Sequence, residues 1–290
     1  MYSKAELKKY SDAVATIKSI TRVYEEAAAR RIKLIQNSVS KIDEFLGSTA
    51  DSYVNIKFGL LAEEKNKKVP RKDILTRSFR EKTKKGVLVL ISSHEQYFGN
   101  LIPNVYRAWK EDLLSSNLDG IIFGNTGKRL LEKDNLQKDS IVCYDLADSD
   151  PDWELVYRIG EKVASYEKIV VYYGKYRTVL TQTPEKADLS TPMTVGQVQQ
   201  VKRYLFEDQG ENILGFFEKE VVNAQLQKRV YQSQIARYAA RIKILEIGQV
   251  AEQMSKVLGD LSRGKLKVRK NLSNKKQLQL YTGLDLWGDS

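Results

Sequence analysis

The residues best suited to chemistry are a lone histidine, a lone cysteine and a Gly-Asn-Thr-Gly-Lys segment. His94 is the only histidine in 290 residues, which excludes multi-histidine metal sites. It follows a strand-like apolar run, Val87 to Ser92, where α/β folds often place catalytic groups. No serine or cysteine in an elbow motif accompanies it, so it reads as a structural or merely exposed loop residue. The segment GNTGKR, Gly124 to Arg129, also follows a strand-like run. A phosphate-binding loop needs four residues between its glycines and a Ser or Thr after the lysine, and this segment has neither. The loop SSHEQYFGNL carries a single glycine and no Gly-x-Gly-x-x-Gly pattern, so no nucleotide or other cofactor is expected. Cys143, the only cysteine, can form neither an internal disulfide nor a cysteine-based metal site; within SIVCYDL it reads as a buried structural thiol.

Charge is the stronger signal. Lys and Arg number 48 against 37 Asp and Glu, a net charge of +11, which favours polyanions or an acidic protein partner. The excess gathers between Lys57 and Lys85 and again between Arg263 and Lys276, where no acidic residue occurs. Such runs are also how solvated faces look, and that reading stays open. A coiled-coil protein that binds nucleic acid is a further alternative, although aromatics are not interleaved with the basic clusters. No apolar stretch approaches the roughly 20 residues of a membrane span, and the amino terminus lacks a signal-like apolar run, which places the chain in the cytoplasm.

The elements that carry these residues follow from proline and periodicity. All five prolines lie between Pro70 and Pro192, so both ends are free to form long helices. In the first 46 residues a seam at three- and four-residue steps runs through Leu7, Tyr10, Val14, Ile17, Thr21, Tyr24, Ala28, Ile35, Ile42 and Phe45, interrupted at Arg31 and Ser38. A second runs through Leu214, Phe217, Val221, Ala224, Tyr231, Ile235, Tyr238, Ile242 and Leu245, then slips to Ile247, Ala251, Met254, Leu258, Leu261, Val268 and Leu272. As single helices they would span roughly 70 and 100 Å, too long for a compact domain to bury, and are expected to pair antiparallel along narrow seams. The middle alternates short apolar runs with polar helical stretches, giving βαβ units with a mainly parallel sheet. Its last strands, Lys168 to Gly174 and Tyr176 to Thr183, should form an antiparallel edge hairpin turning at Gly174 and Lys175. The expected class is therefore α/β: a long antiparallel coiled coil of the terminal helices plus a small Rossmann-like domain. The boundaries are 1–58 for the first helix, 59–86 for a basic connector, 87–193 for the α/β domain and 194–290 for the last helix.

Several segments carry a resemblance. ITRVYEEAAARRIK (Ile20 to Lys33) is similar to an Ile-Thr-Lys-Ala-Met pattern followed by small and basic residues. VLVLISSHEQYFGNL is similar to a strand and loop ending Ser-Asp-x-Gly-Leu-x-Gly-Gly-Leu-Asn, with Ser93, Gly99 and Leu101 kept; VVYYGKYRTVLTQTP resembles a Val-Tyr-Asn-x-Phe hairpin closing in Gln-x-Pro; YLFED (Tyr204 to Asp208) resembles the entry to a final helix. Together they resemble the gamma subunit of F-type rotary ATPases over nearly the whole chain. The chain departs from that family at His94, Gln96, Tyr97 and Asn100. It also departs at the terminal Arg-Gln-x-x-Ile-Thr-x-Glu-Leu signature, where RKNLSNKKQL keeps Arg269 and Leu278 best and puts Lys270 and Lys276 in place of Gln and Glu.

The resemblance implies a central-stalk rotor in the cavity of a hexamer of alpha/beta-like ATPase subunits, with catalysis on those partners and no catalytic, cofactor or metal residues here. It implies that Arg263, Lys265, Lys267, Arg269, Lys270, Lys275 and Lys276 face acidic segments of the hexamer, and that Tyr281, Leu284, Leu286 and Trp287 seat in an apolar collar. An epsilon-like subunit and a membrane rotor ring are implied as further partners, which would hold the chain at the cytoplasmic face of a membrane. The eroded signature leaves open a shaft dedicated to mechanical work such as gliding motility instead of ATP synthesis.

Overall fold

Free of proline, residues 4–63 run as one helix, α1 (Lys4–Glu63). Then follow β1 (Lys84–Ile91), α2 (Leu101–Ser115), β2 (Asp119–Phe123), α3 (Asn125–Lys133), β3 (Ile141–Tyr144), α4 (Trp153–Ala164), β4 (Tyr166–Tyr176), β5 (Gln182–Asp188) and the last helix, α5 (Gly210–Asp285). The structure, a computed structural model, describes residues 4–63, 78–96, 98–136, 139–190 and 210–285. The chain divides into two compact units, Ile20–Lys243 and Met1–Ser19 with Ile244–Ser290.

The larger unit contains the sheet, in the order β3-β2-β1-β4-β5. β1 pairs parallel with β2 and β4, β2 pairs parallel with β3, and β5 closes one edge antiparallel to β4. This is the expected mixed α/β sheet. The central strand β1 is buried along its last six residues because both faces are covered, as parallel strands require. Val87, Val89 and Ile91 face a cluster completed by Val156, Ile159 and Val163 of α4 and Val222, Leu226 and Val230 of α5. Leu88 and Leu90 face the opposite cluster with Val105, Trp109 and Leu113 of α2. Each such side chain contributes about 1.5–3 kcal/mol by leaving water.

Two local expectations are corrected. The hairpin does not turn at Gly174: β4 continues to Tyr176, and Gly174 pairs with Pro184. A Cβ at Gly174 would lie 3.1 Å from Leu101, so the glycine serves close packing of α2 on the strand. The turn is residues 177–181, where Thr178 and Thr181 exchange backbone hydrogen bonds at 3.0 and 3.2 Å. Cys143 is half-buried on the edge strand β3 instead of fully enclosed.

Within this unit α1 and α5 run antiparallel: Asp43 pairs with Lys228 and Tyr53 with Glu218, so the α5 number falls as the α1 number rises. The seam on α1 is more regular than its sequence suggests. Thr21, Ala28, Ile35, Thr49 and Ile56 are buried, while Glu25, Ile32, Val39, Ile42 and Leu46 are half-buried between them and Tyr53 is buried, an unbroken heptad of four- and three-residue steps. Tyr24 and Phe45, expected on the seam, are 59% and 45% exposed. The positions taken as interruptions, Arg31 and Ser38, are filled by their neighbours Ile32 and Val39.

The expected narrow stripe on α5 is also corrected. From Leu214 to Ile242 the helix is buried on more than one side, because it carries Val221 and Ile235 on one face and gives Val222, Leu226 and Val230 to the sheet cluster. Lys57 and Arg80, expected on a solvated basic face, are buried; the basic residues at 64–77 lie outside the described residues. In the smaller unit, Ile247 and Leu272, expected on the slipped seam, are exposed. Two residues beyond Leu245 is about 200° around a helix, so Ile247 cannot share its stripe.

Candidate functional site

Most of the residues expected to meet a partner lie on α5. Arg263 and Lys270 are exposed, and Arg263 Nε donates to Gly259 O at 3.3 Å, which lays the guanidinium along its own helix. Lys265, Lys267, Arg269, Lys275, Lys276, Tyr281 and Leu284 fall within the helix, but their side chains lie outside what is described. Leu286 and Trp287 lie outside the described residues. No described helix is long and apolar enough to cross a membrane.

The other constellation sits at the carboxyl ends of the strands. The order in which strands are added reverses between the parallel neighbours β1 and β4, the switch point at which open α/β folds bind ligands. Here the first turn of α3 is engaged by the chain itself. Ser92 Oγ donates to Phe123 O at 2.6 Å and accepts from Gly127 N at 3.0 Å, and Ser93 O accepts from Thr126 N at 2.8 Å. Gly124, at φ +93°, lets the backbones meet so closely that a Cβ would lie 2.7 Å from Ser93. Two helix-terminal amides that could cradle an anion, those of Thr126 and Gly127, are thus bonded to the loop after β1.

α5 crosses the same place. Arg229 reaches Tyr173 Oη at 3.3 Å, Gln234 donates to Asp148 O at 2.9 Å, and Arg237 donates to Ser92 O. Asp148 accepts from His94 N at 3.0 Å and Glu95 N at 2.8 Å. Arg241 pairs with Glu95 and lies over the Phe98 ring, 5.0 Å from its centroid. His94 Nδ1 lies 2.8 Å from Asp145 Oδ1, and Asn125 Nδ2 is 3.2 Å away. The hydrogen bond to Asp145 raises the imidazole pKa, with the charges of Asp145, Asp148 and Glu95 acting in the same sense. A cleft of about 450 Å³ remains, lined by His94, Glu95, Phe98, Asp145, Asp148, Gln234, Arg237 and Arg241 together with Asp150, Asp152 and Tyr238. Its cations are matched one by one by carboxylates, and Asp152 caps α4 through Leu155 N.

Composition singled out none of Asp148, Glu218, Arg237 and Arg241 in advance. The available signal was the interruption of an apolar helix by Asn223, Ser233, Gln234 and Arg237, all buried, which a solvent-facing stripe would not require.

A family model described as ATP synthase matches residues 3–276. Among solved structures, the chain is similar to one from the central stalk/c-ring of Tetrahymena thermophila mitochondrial ATP synthase, at 16% identity and TM-score 0.53, covering 79% of this chain and 99% of that one. It is also similar to a chain of the OSCP/F1/c-ring structure of Euglena gracilis mitochondrial ATP synthase, at 14% identity and TM-score 0.45, covering 94% of each. No curated protein matches. The Tetrahymena likeness shows the fold.

Proposed function

The chain belongs to the ATP synthase gamma-subunit family, and we propose that it is the central-stalk rotor of an F-type ATPase, turned by a hexamer of alpha/beta-like subunits that carries the catalysis. The observation that carries this reading is the family match over residues 3–276. A proline-free 76-residue helix, α5, suits the role of a stiff shaft.

The basic track supports the partner side. At about 100° per residue, helix positions 263, 267 and 270 fall in one sector and 265, 269 and 276 in a sector across the axis. Cationic positions on both sides fit a shaft that a ring surrounds, better than a one-faced docking helix. Solvated charge contacts break and re-form easily, as a turning surface needs. Tyr281, Leu284, Leu286 and Trp287 would seat in the collar, and an epsilon-like subunit and a membrane rotor ring complete the partners.

Purification at native salt tests the reading: a hexameric ATPase recovered with one copy of this chain is the expected result, and its absence overturns it. A second reading, a shaft of a motor dedicated to mechanical work, draws on Lys270 and Lys276 where the family signature has Gln and Glu. Proton-coupled ATP synthesis by the reconstituted complex would exclude it.

A further inference from the structure

Glu218 of α5 sits where three parts of the larger unit meet; the residue is 6% exposed and its carboxylate accepts several hydrogen bonds. Tyr53 Oη of α1 donates to Oε1 at 2.5 Å and Ser78 Oγ to Oε2 at 2.6 Å. Phe79 N lies 3.1 and 3.0 Å from the two oxygens, and Arg80 N 3.0 Å from Oε2. Backbone amides can only donate, and both of these reach Oε2 while Phe79 N is shared with Oε1, so the carboxylate accepts along both arms. Lys57 is fully buried beside it, its Nζ 3.1 Å from Tyr53 Oη and 4.9 Å from that ring's centroid. The Glu218 charge opposes the larger effect of burial, which lowers the lysine pKa.

Arg80 carries the connection onward. Its Nη1 donates to Ala164 O at 3.0 Å, at the end of α4, and its Nη2 to Glu167 O at 3.3 Å, in β4, and Ser190 O at 3.5 Å, beyond β5. The Cβ that Gly215 lacks would lie 2.9 Å from Phe79 O, so α5 also approaches this segment without a side chain between. A chain of buried and partly buried hydrogen bonds therefore runs from α1 through Glu218 to residues 78–80 and on to α4, β4 and the segment after β5. Buried charge is costly unless paired in this way. An apolar cluster of Tyr53, Ile56 and Leu214 lies around it, but apolar contacts resist sliding less than directional bonds to a fixed carboxylate do.

We propose that Glu218, with Arg80, is the positioning residue that fixes the α/β domain to the helix pair, so that the two turn as one body under load. The proposal rests on the rotor reading for its consequence, and its two experiments separate the junction from that reading. The first uses the full chain alone: Glu218→Gln should speed hydrogen exchange at the Phe79 and Arg80 amides by roughly tenfold or more, while β1 amides stay protected. Ser78→Ala, which removes one donor and keeps the carboxylate, should speed Arg80 exchange less. If exchange at both amides is unchanged in Glu218→Gln, the junction is not held by this carboxylate and the proposal falls.

The second uses the assembled complex with a bead attached to the α/β domain. Glu218→Gln should widen the bead's angular fluctuation at each pause by roughly twofold or more, because a charge-assisted linkage has been weakened, while unloaded ATP hydrolysis by the hexamer is unchanged. Fluctuation as narrow as in the parent chain, together with faster amide exchange, overturns the mechanical role. A chain that fails to assemble with any hexamer overturns the rotor reading, and the mechanical role with it, while the exchange result still reports the junction itself.

Discussion

Arg237 Nη1 lies 3.2 Å from Asp148 Oδ1, with the arginine side chain only 3% exposed. Because Asp148 also holds the amides of His94 and Glu95, one ion pair fastens the loop after β1, the loop after β3 and α5 together.

Removing one partner of such a pair leaves a buried charge uncompensated. Arg237→Met should cost about 3–5 kcal/mol in urea unfolding, and the double variant with Asp148→Asn should cost clearly less than the two single changes added. A loss below about 1 kcal/mol in Arg237→Met would show that the pair is incidental.

The His94–Asp145 pair gives a pH dependence of known sign. Its imidazole pKa is raised in the folded chain, first by the hydrogen bond to Asp145 and then by its charge. A raised folded value means that the contribution is fully present below the unfolded value of about 6.5 and is lost as pH rises through the folded one. Both groups are largely exposed, so the effect is small. Asp145→Asn should lower the His94 pKa in an NMR titration; identical curves for the two proteins would remove Asp145 as the cause.

Gly160 of α4 lies against Asn223 of α5, and a Cβ there would come 1.7 Å from Asn223 Oδ1. Gly→Ala inside a helix ordinarily helps by up to about 1 kcal/mol. Here Gly160→Ala should instead destabilise by roughly 1–3 kcal/mol, and Asn223→Ala in the same chain should recover part of the loss. Thermal melts decide it, and a stabilised single variant would mean that α4 and α5 pack less closely than described.

The heptad on α1 separates neighbouring residues. Leu46, on the seam, should cost about 1–2 kcal/mol when changed to alanine, and Phe45, though larger, under about 0.5 kcal/mol. The reverse order in denaturant titrations would restore the register that the aromatics suggest.

For the basic track, Arg263→Glu with Lys270→Glu should loosen the grip of the hexamer at low ionic strength. The difference should fade near 1 M salt, where the screening length is about 3 Å. Equal binding of parent and variant in dilute buffer would leave these two charges as solubilising groups.

Much of this architecture is readable from residue order because local physics dictates it. Missing prolines mark the two long helices, and alternating apolar runs mark the sheet. The coiled-coil phase was half readable: Thr21, Ala28, Ile35 and Ile42 stand out, but Tyr24 and Phe45 outweigh Glu25 and Leu46 on hydrophobicity, although geometry favours the latter. The turn at 177–181 was missed because Gly174 looks like a turn residue, and only the approach of Leu101 explains it otherwise. Lys57, Arg80, Glu218 and Arg237 were beyond reach for a different reason. A charged residue reads as solvent-facing until partners distant in the sequence enclose it, as the Ser78 hydroxyl and the Arg80 amide do for Glu218 by donating hydrogen bonds at separations of 138–140.

The contact between Arg237 and Ser92 joins residues 145 positions apart, and it bears on how the molecule is made. At about 5–20 residues per second, a ribosome needs on the order of 7–29 s to travel that far. During that interval the sheet face of Val87, Val89 and Ile91 lacks Val222, Leu226 and Val230, which are its cover. The nascent domain thus emerges with an uncapped apolar surface, and newly made chains should pass through the hands of a chaperone before the last helix arrives to close it.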